Sequence, residues 1–225
     1  MQQALPPTDR FAHVRDWVFD LDNTLYPPAS NLFDQVAGRM NVYICDFLGI
    51  GIEEARTLRR DYYRRYGTTM RGLMIEHGLD PHDFLAKVHD IDHSPLAPDP
   101  ALGAAIAALP GRKFVLTNGS RAHAEAVVRQ LGIDSHFEDF FDIVAAGFEP
   151  KPNRVPYDLF LEKHGVDPRF AAMFEDLPQN LEVPHTLGMT TVLVTGRGEE
   201  GPGAGHIDFV TDELAVFLGA FDRAA

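Results

Sequence analysis

Two aspartates separated by one residue, Asp20 and Asp22, follow directly after the apolar run 17–19. A run of this kind favours a buried strand, which places both acids at a strand's carboxyl end, where open α/β sheets bind ligands. Neighbouring ionised carboxylates oppose each other, so the pair requires a proton or a cation to compensate it. Taken alone, the stretch also fits a turn in which Asp22 and Asn23 cap the next element.

A second stretch, residues 113–120, reads as a strand that ends at Thr117 and opens a helix at Ser120. The first N–H groups of a helix are unpaired and carry positive partial charge, and the Thr117 hydroxyl adds a donor. Together with Asn118 and Gly119, this segment can hold a phosphate group. A simple N-cap at Ser120 with nothing bound explains the stretch equally well when it is taken alone.

Lys151 and Asp176 supply further charges. Lys151 lies between two prolines, which stiffen the backbone that carries its ammonium group. Asp176 follows Glu175 at the end of another apolar run. Carboxylate oxygens are ligands that Mg²⁺ prefers in proteins, so Asp20, Asp22 and Asp176 together predict a magnesium site.

The elements that must position these residues alternate between short apolar runs and helical patterns. Continuous apolar runs suit a buried parallel sheet, and strand–helix alternation indicates a doubly wound α/β domain. Helices are predicted from Ser120 to Leu131 and over 157–164, each followed by a glycine that can end it. The predicted strands are Val18–Leu21, Lys113–Thr117, Ile143–Ala145, Ala172–Glu175 and Thr191–Thr195.

The segment between the first two predicted strands carries only helical patterns. Helices are expected over 33–47, over the arginine- and tyrosine-rich stretch 55–66, over 68–77 and over 81–91, followed by a stiff, proline-rich return segment at 94–100. This pattern predicts an α/β core, residues 11–26 and 101–225, that carries an inserted all-helical cap, residues 27–100.

The arginine- and tyrosine-rich stretch has the composition of a polynucleotide-binding patch. Its spacing favours a simpler interpretation, in which Ala55, Leu58, Tyr62 and Tyr66 are buried and the arginines lie on the solvated face of a helix.

The charge of the chain excludes other classes of partner. The formal net charge is −13 and the pI is near 5.1, which argues against binding to a nucleic acid polymer or an anionic membrane.

The single cysteine, Cys45, cannot form an intrachain disulfide, and a reducing compartment is expected. Residues 1–10 lack the apolar segment of a secretion signal, and no apolar run is long enough to cross a bilayer. We therefore expect a cytoplasmic protein.

Residues 196–201 match the G-x-G-x-x-G pattern of dinucleotide-binding folds. That pattern requires a helix to begin within it, whereas residues 201–205, GPGAG, continue as a loop. We predict a flexible surface connection here and no dinucleotide site.

The order of the stretches at 20–24, 117–120, 151 and 175–176 resembles the four motifs of the haloacid dehalogenase superfamily. The resemblance covers nearly the whole chain, and the helical insertion is placed like the type-1 cap of that superfamily. No comparable insertion fits between Ser120 and Lys151, which argues against the other cap class. Within the superfamily, residues 20–28, 66–73 and 151–152 look like the pyrimidine 5′-nucleotidase family.

This resemblance implies a Mg²⁺-dependent phosphomonoester hydrolase. Asp20 would be the nucleophile that forms an aspartyl-phosphate, and Asp22 would protonate the leaving group and later accept a proton from water, with its pKa raised by acidic neighbours. Thr117 and the adjacent helix amides, together with Lys151, would compensate the phosphoryl charge. Metal contact at Asp22 is expected through its backbone carbonyl. Glu175 departs from the glycine or aspartate often found at its position.

The substrate implied by the resemblance is a small phosphorylated metabolite, a pyrimidine nucleoside monophosphate. Some of the polar cap residues are expected to face the nucleoside, although helix capping or solvation explains each one alone. These candidates are Thr68, Thr69, Arg71 and His89.

Asp22 disfavours carbon–halogen cleavage, since the name-giving dehalogenases lack an aspartate at this place. Three other activities remain open. A sugar-phosphate phosphatase or a phosphomutase would use the same acid. A phospho-accepting receiver domain also groups acids, a threonine and a lysine around Mg²⁺, but it needs no cap.

Overall fold

The computed structural model describes residues 8–196, 198, 201 and 203–222. Their centre is a six-stranded sheet with the order β3-β2-β1-β4-β5-β6, in which every neighbouring pair is parallel. The strands are β1 (Asp16–Phe19), β2 (Arg112–Leu116), β3 (Asp139–Phe141), β4 (Ala171–Glu175), β5 (Thr190–Val194) and β6 (Phe209–Thr211).

Helices cover both faces of this sheet. Trp17 and Phe19 of β1 pack on one side with α5 (Pro100–Ala108), α6 (Arg121–Leu131) and α9 (Leu214–Asp222), whereas Val18 packs on the other side with α7 (Arg154–His164). A further short helix, α8 (Glu182–Leu187), lies on the α7 side. Alternating side chains of one buried strand thus serve two hydrophobic layers, as a doubly wound fold requires. The predicted fold class is confirmed.

The predicted strand at Ile143–Ala145 is wrong. The third strand ends at Phe141, which pairs with Leu116. The next residue, Asp142, accepts hydrogen bonds from the backbone N–H groups of Ala145 and Arg121, both at 2.9 Å. These bonds turn the chain after β3, so the apolar residues that follow cannot continue the ladder.

Other elements differ from the prediction at their ends or were missed. Helix α7 begins three residues earlier than expected, and α5 and β6 were not predicted. The α5 segment follows the proline-rich return, and its N-cap Asp99 accepts a hydrogen bond from the N–H of Leu102 at 2.9 Å. Proline in the first turn therefore starts this helix instead of breaking it.

The insertion after β1 is helical, as predicted. It forms α1 (Leu32–Leu48), α2 (Ile52–Tyr66), α3 (Thr69–His77) and α4 (Pro81–Val88), so the last helix ends three residues before the expected end. Their buried side chains form a hydrophobic cluster of their own, which Ile143 of the core joins. Ala55 and Tyr62 of α2 are buried, whereas Leu58 and Tyr66 are only partly so. The division into residues 27–100 and the remainder stays a prediction.

None of the helices in the described part of the chain combines the length and the apolar character needed to cross a membrane. Half of the G-x-G-x-x-G stretch, Arg197, Glu199 and Glu200, lies outside the described residues, as do residues 1–7.

Candidate active site

The predicted site residues of the core meet at one edge of the sheet because β1, β2 and β4 are neighbours and run parallel. Asp20 follows β1, Thr117 follows β2, and Asp176 follows β4. The loop after β3 brings Lys151 to the same place. These residues form the floor of a cavity of about 490 Å³ between the sheet edge and the cap helices.

The side chain of Lys151 is held by three hydrogen bonds within the site. Its side chain is almost wholly buried, and its Nζ donates to Oδ1 of Asp20 at 2.7 Å, to Oε1 of Glu175 at 2.8 Å and to the carbonyl of Leu116 at 2.8 Å. An ammonium group has three donors, and all three are used. The two carboxylates outweigh the burial and raise the pKa of Lys151 above its ordinary value, so the ammonium stays charged.

Asn118 and Asn180 hold this ion-pair group in place. The side chain of Asn118 donates to the carbonyl of Lys151 at 3.1 Å and accepts from its N–H at 2.8 Å. Asn180 donates to Oε1 of Glu175 at 2.6 Å. Asn118, which was predicted to bind substrate, also lines the cavity, and its side-chain amide binds the backbone of Lys151.

The sequence assigned no role to Glu175, and the structure shows which groups it contacts. It is completely buried, Oε1 accepts from Lys151 and Asn180, and Oε2 accepts from the N–H of Leu177 at 2.8 Å. Both oxygens are therefore engaged within the protein. Glu175 fixes the ammonium group of Lys151 opposite Asp20.

Ligand oxygens of Asp20, Glu175 and Asp176 lie within 4.8 Å of one another. Burial raises the pKa of Asp176 to about 9, and the charges of Asp20 and Glu175 add to the rise. Burial also raises the pKa of Asp20 to about 7, although Lys151 opposes that rise. When all three carboxylates are ionised, they exceed the charge of the Lys151 ammonium group by two negative charges, and the raised pKa values of Asp20 and Asp176 reflect the cost of that excess without a cation. This donor set and charge fit Mg²⁺.

The side chain of Asp22 belongs to a different set of contacts. Its Oδ1 accepts from the hydroxyl of Tyr26 at 2.5 Å and lies 2.9 Å from Nε2 of His123. It is not a member of the three-carboxylate group, in which Glu175 stands instead. The predicted metal set of Asp20, Asp22 and Asp176 therefore agrees with the side-chain geometry at Asp20 and Asp176 only.

The expected rise in the pKa of Asp22 is wrong for this arrangement. Burial does act to raise it, but the contacts with His123 and Tyr26 outweigh burial and hold the pKa of Asp22 below its ordinary value. The acidic residues that were expected to raise the pKa of Asp22 instead face Lys151.

Thr117 and Gly119 lie beside these acids at the start of α6. Thr117 is buried and its hydroxyl accepts from the N–H of Gly119 at 2.9 Å. Ser120 caps α6 by accepting from the N–H of His123 at 3.3 Å. Thr117 and Gly119 line the cavity, as predicted. Ser120 is the N-cap of α6, in agreement with the capping interpretation.

The cap supplies a different kind of lining. Three cap helices contribute an apolar wall to the cavity, formed by Val36, Met40, Met70, Phe84, Leu85 and Val88. Two arginines of α2, Arg59 and Arg64, line the cavity too. Arg59 is partly buried and donates to Asn41 at 3.0 Å. The expectation that all arginines of this helix face solvent is therefore wrong.

The four predicted cap contacts divide into two groups. Thr68, Thr69 and His89 line the cavity, although each has a partner within the protein. Arg71 does not line it. Its guanidinium group lies 2.5 Å from Oε1 of Glu149, two residues before Lys151, and joins the cap to the core.

Tyr26 and His123 were missed in the sequence. Both side chains are buried against Asp22. Tyr26 lies four residues after Asp22, and His123 lies three residues after the N-cap of α6, whose N-terminus faces the site. A polar side chain four residues after Asp22, or in the first turn of α6, could have been recognised as close to the site. The helical pattern of α6 does not tell which of its buried side chains meets Asp22.

Comparisons with known proteins agree with this geometry. The family model for haloacid dehalogenase-like hydrolases matches residues 17–183. A solved structure of CbbY from Rhodobacter sphaeroides, in complex with phosphate, superposes with a TM-score of 0.62 at 22% identity and covers 90% of this chain and 95% of that chain. A HAD phosphatase from Thermococcus onnurineus gives 0.61 at 18% identity, over 89% and 94%.

A third solved structure, L-2-haloacid dehalogenase from Xanthobacter autotrophicus, has a TM-score of 0.59 at 18% identity and covers 94% of this chain and 100% of that chain. These identities show a shared fold, which by itself does not determine the reaction. The match of the family model over residues 17–183 decides the family. The chain belongs to the haloacid dehalogenase-like hydrolases.

Proposed function

We propose that this hydrolase is a Mg²⁺-dependent phosphomonoesterase that acts through an aspartyl-phosphate on Asp20. The observation that carries the proposal is the separation of the two aspartates by their partners. Asp20 contacts the ammonium group of Lys151, whereas Asp22 contacts Tyr26 and His123. One loop thus presents a nucleophile and a separate proton donor and acceptor, which phosphate-ester cleavage requires.

The chemistry assigned to the side chains follows from these contacts. A carboxylate oxygen of Asp20 attacks phosphorus, and the bond to the ester oxygen breaks. Asp22, which enters this step as the carboxylic acid although its pKa is low, gives the ester oxygen its proton and becomes the carboxylate. Water then attacks the aspartyl-phosphate after Asp22 has accepted one of its protons, and phosphate leaves. Lys151 and Thr117 lie at the site and offer positive charge and a hydroxyl to the phosphoryl oxygens.

Asp20 and Asp176 would hold Mg²⁺, with the backbone carbonyl of Asp22 as a further proposed ligand. When it is bound, the ion neutralises negative charge on the transferring phosphoryl group. The excess negative charge and the raised pKa of Asp176 support this assignment.

For the substrate, we propose a pyrimidine nucleoside 5′-monophosphate. The apolar wall supports a leaving group with a flat, partly apolar base, since a sugar phosphate would leave that wall without a partner. Thr68 and Thr69 are proposed contacts of the nucleoside. A sugar-phosphate phosphatase or a mutase is the second candidate, and the cap disfavours a receiver domain, which needs no closed substrate site.

The test is phosphate release by the full chain from UMP, CMP, glucose 6-phosphate and glycerol phosphate, with Mg²⁺ or with a chelator. We expect release from UMP and CMP that stops with the chelator. Substitution Asp20→Asn should lower kcat by about 10⁴-fold or more, as loss of a nucleophile does in other enzymes. Asp158→Asn, at an exposed ion pair of α7, is the matched control and should retain full activity.

Four results would count against the proposal. Full activity of Asp20→Asn, or turnover that resists the chelator, would remove the mechanism. A preference for glucose 6-phosphate would remove only the nucleotide substrate. Chloride release from 2-chloropropionate without any phosphatase activity would replace the reaction with carbon–halogen cleavage.

A further inference from the structure

Asp22 is held through one of its two carboxylate oxygens. Oδ1 accepts from the Tyr26 hydroxyl at 2.5 Å and lies 2.9 Å from Nε2 of His123. Both partners are 2% exposed, so water does not compete strongly for these contacts. Two hydrogen bonds to one oxygen fix both the position of the carboxyl group and its rotation about the Cβ–Cγ bond.

The role of each nitrogen of His123 follows from its surroundings. A carboxylate only accepts hydrogen bonds, so Nε2 must carry the proton in the contact with Asp22. Among the described residues, no group hydrogen-bonds to Nδ1, which is buried. The ring is stacked on His89, with centroids 4.6 Å apart and planes 9° apart, and it also contacts His93 at 5.6 Å. Stacking on His89 therefore holds the ring with Nε2 toward Asp22.

The second oxygen of Asp22 remains on the cavity side. A Cβ atom placed on Gly119 would lie 3.7 Å from Oδ2 and 3.3 Å from the hydroxyl of Thr117. Oδ2 thus lies near the segment that faces the phosphate group in the proposed mechanism. A leaving-group oxygen in the cavity can reach Oδ2, while Oδ1 is taken by its two partners.

We propose that His123 and Tyr26 are positioning residues that hold Oδ2 of Asp22 toward the leaving-group oxygen. This inference rests on the proposed function. It assigns no proton transfer to His123 or Tyr26 themselves. In the formation of the aspartyl-phosphate, their effect should appear only when the leaving group needs the proton that Asp22 supplies.

The experiment compares two leaving groups in the full chain with Mg²⁺. UMP has a sugar alkoxide as its leaving group, which needs protonation, whereas p-nitrophenyl phosphate releases a stabilised phenolate that leaves without a proton. A general acid contributes about 10²- to 10⁴-fold. We expect Tyr26→Phe and His123→Ala to lower kcat/KM for UMP by about 10- to 100-fold, with less than about a threefold change for p-nitrophenyl phosphate. The comparison uses kcat/KM because this ratio reports the steps up to formation of the aspartyl-phosphate and excludes the later attack of water, in which Asp22 takes part with either substrate. Asp22→Asn should show the same selectivity more strongly.

Two further variants separate positioning from packing. His123→Gln keeps a donor near the place of Nε2 and should restore most of the kcat/KM for UMP. His93→Ala removes a neighbour of the His123 ring that does not contact Asp22, and it should not distinguish the two substrates. Tyr26→Phe keeps the ring and removes only the hydroxyl, so it tests the positioning of Asp22 even if His123→Ala fails to fold.

The outcomes distinguish this inference from the proposed function. Equal losses of kcat/KM on both substrates, or no loss in Tyr26→Phe and His123→Ala, would overturn the positioning role while leaving the phosphatase mechanism intact. If UMP is a poor substrate, glycerol phosphate serves as the ester with an alkoxide leaving group. If the unmodified protein hydrolyses neither alkyl nor aryl phosphates, the proposed function fails, and the positioning inference fails with it.

Discussion

The core side of the cavity is formed mainly by charged side chains, whereas the cap side is mainly apolar. The core side gathers Lys151, which is bound to Asp20 and Glu175 by hydrogen-bonded ion pairs, and Asp176, which lies beside these two carboxylates. The cap side presents mainly the apolar wall, with two arginines at α2. Buried charges require fixed partners at fixed distances, whereas an apolar surface accepts any partner of suitable shape.

This difference assigns separate tasks to the two regions. The core arrangement restricts the reaction, because moving any one charge leaves another without a partner. The cap wall restricts the size and polarity of the leaving group and leaves the reaction unchanged. Substitutions in the core should therefore affect folding and catalysis together, and substitutions in the wall should affect substrate binding alone.

The largest expected effect in the core is the loss of the Lys151 ammonium group. Lys151→Met leaves Asp20 and Glu175 buried without their cation, and breaking a buried ion pair in this way costs about 3–5 kcal/mol. We expect a fall of this size in the free energy of unfolding, measured by urea denaturation without Mg²⁺. Lys163→Met is the matched control, because the Lys163 side chain is 47% exposed in its ion pair with Asp139, and it should cost less than about 1 kcal/mol. Equal losses in the two variants would mean that the core charges are not structurally coupled.

A smaller effect is expected in the cap wall. Met40→Ala removes part of the wall and should raise the KM for UMP by about tenfold, since a few methylene-sized contacts are worth 1–3 kcal/mol. The KM for glycerol phosphate, which is too small and polar to use the wall, should not change. Met74→Ala, in the cap cluster but not at the cavity, is the control. A drop in kcat for both substrates would contradict the separation of tasks.

The sequence predicted the core side well because each motif follows a strand, and parallel strands bring their carboxyl ends to one edge. Asp20, Thr117 and Asp176 could be placed in this way without knowing any side-chain contact. The contacts of Glu175 could not, because its burial under Lys151 depends on the loop after β3. The prediction failed locally there, where an apolar run at 143–145 suggested a strand but hydrogen bonds to Asp142 turn the chain.

The cap side was predicted only as a set of helices. Helical periodicity identifies which face is buried, but it does not tell whether that face meets another helix or a cavity. Arg71 and Arg59 show the consequence. The first was expected at the substrate and lies at the core boundary, and the second was expected in solvent and lies at the cavity. Charged residues on helices are assigned correctly only once the packing of the helices is known.

The smallest expected effect concerns the ion pair that joins the two regions. Arg71 and Glu149 are 2.5 Å apart, and their side chains are 26% and 29% exposed. A double-mutant cycle of Arg71→Ala and Glu149→Ala should give a coupling of about 0.5–1 kcal/mol in urea denaturation, at the upper end for pairs near the surface. The pair of Arg65 and Asp61 within the cap, about half exposed on each side, should couple by about 0.3–0.5 kcal/mol. Because Arg71 holds the cap against the loop of Lys151, Arg71→Ala should also raise the KM for UMP, whereas Arg65→Ala should not. Equal couplings and an unchanged KM would show that this ion pair adds nothing to the docking of the cap, and that packing of Ile143 into the cap cluster joins the two regions without it.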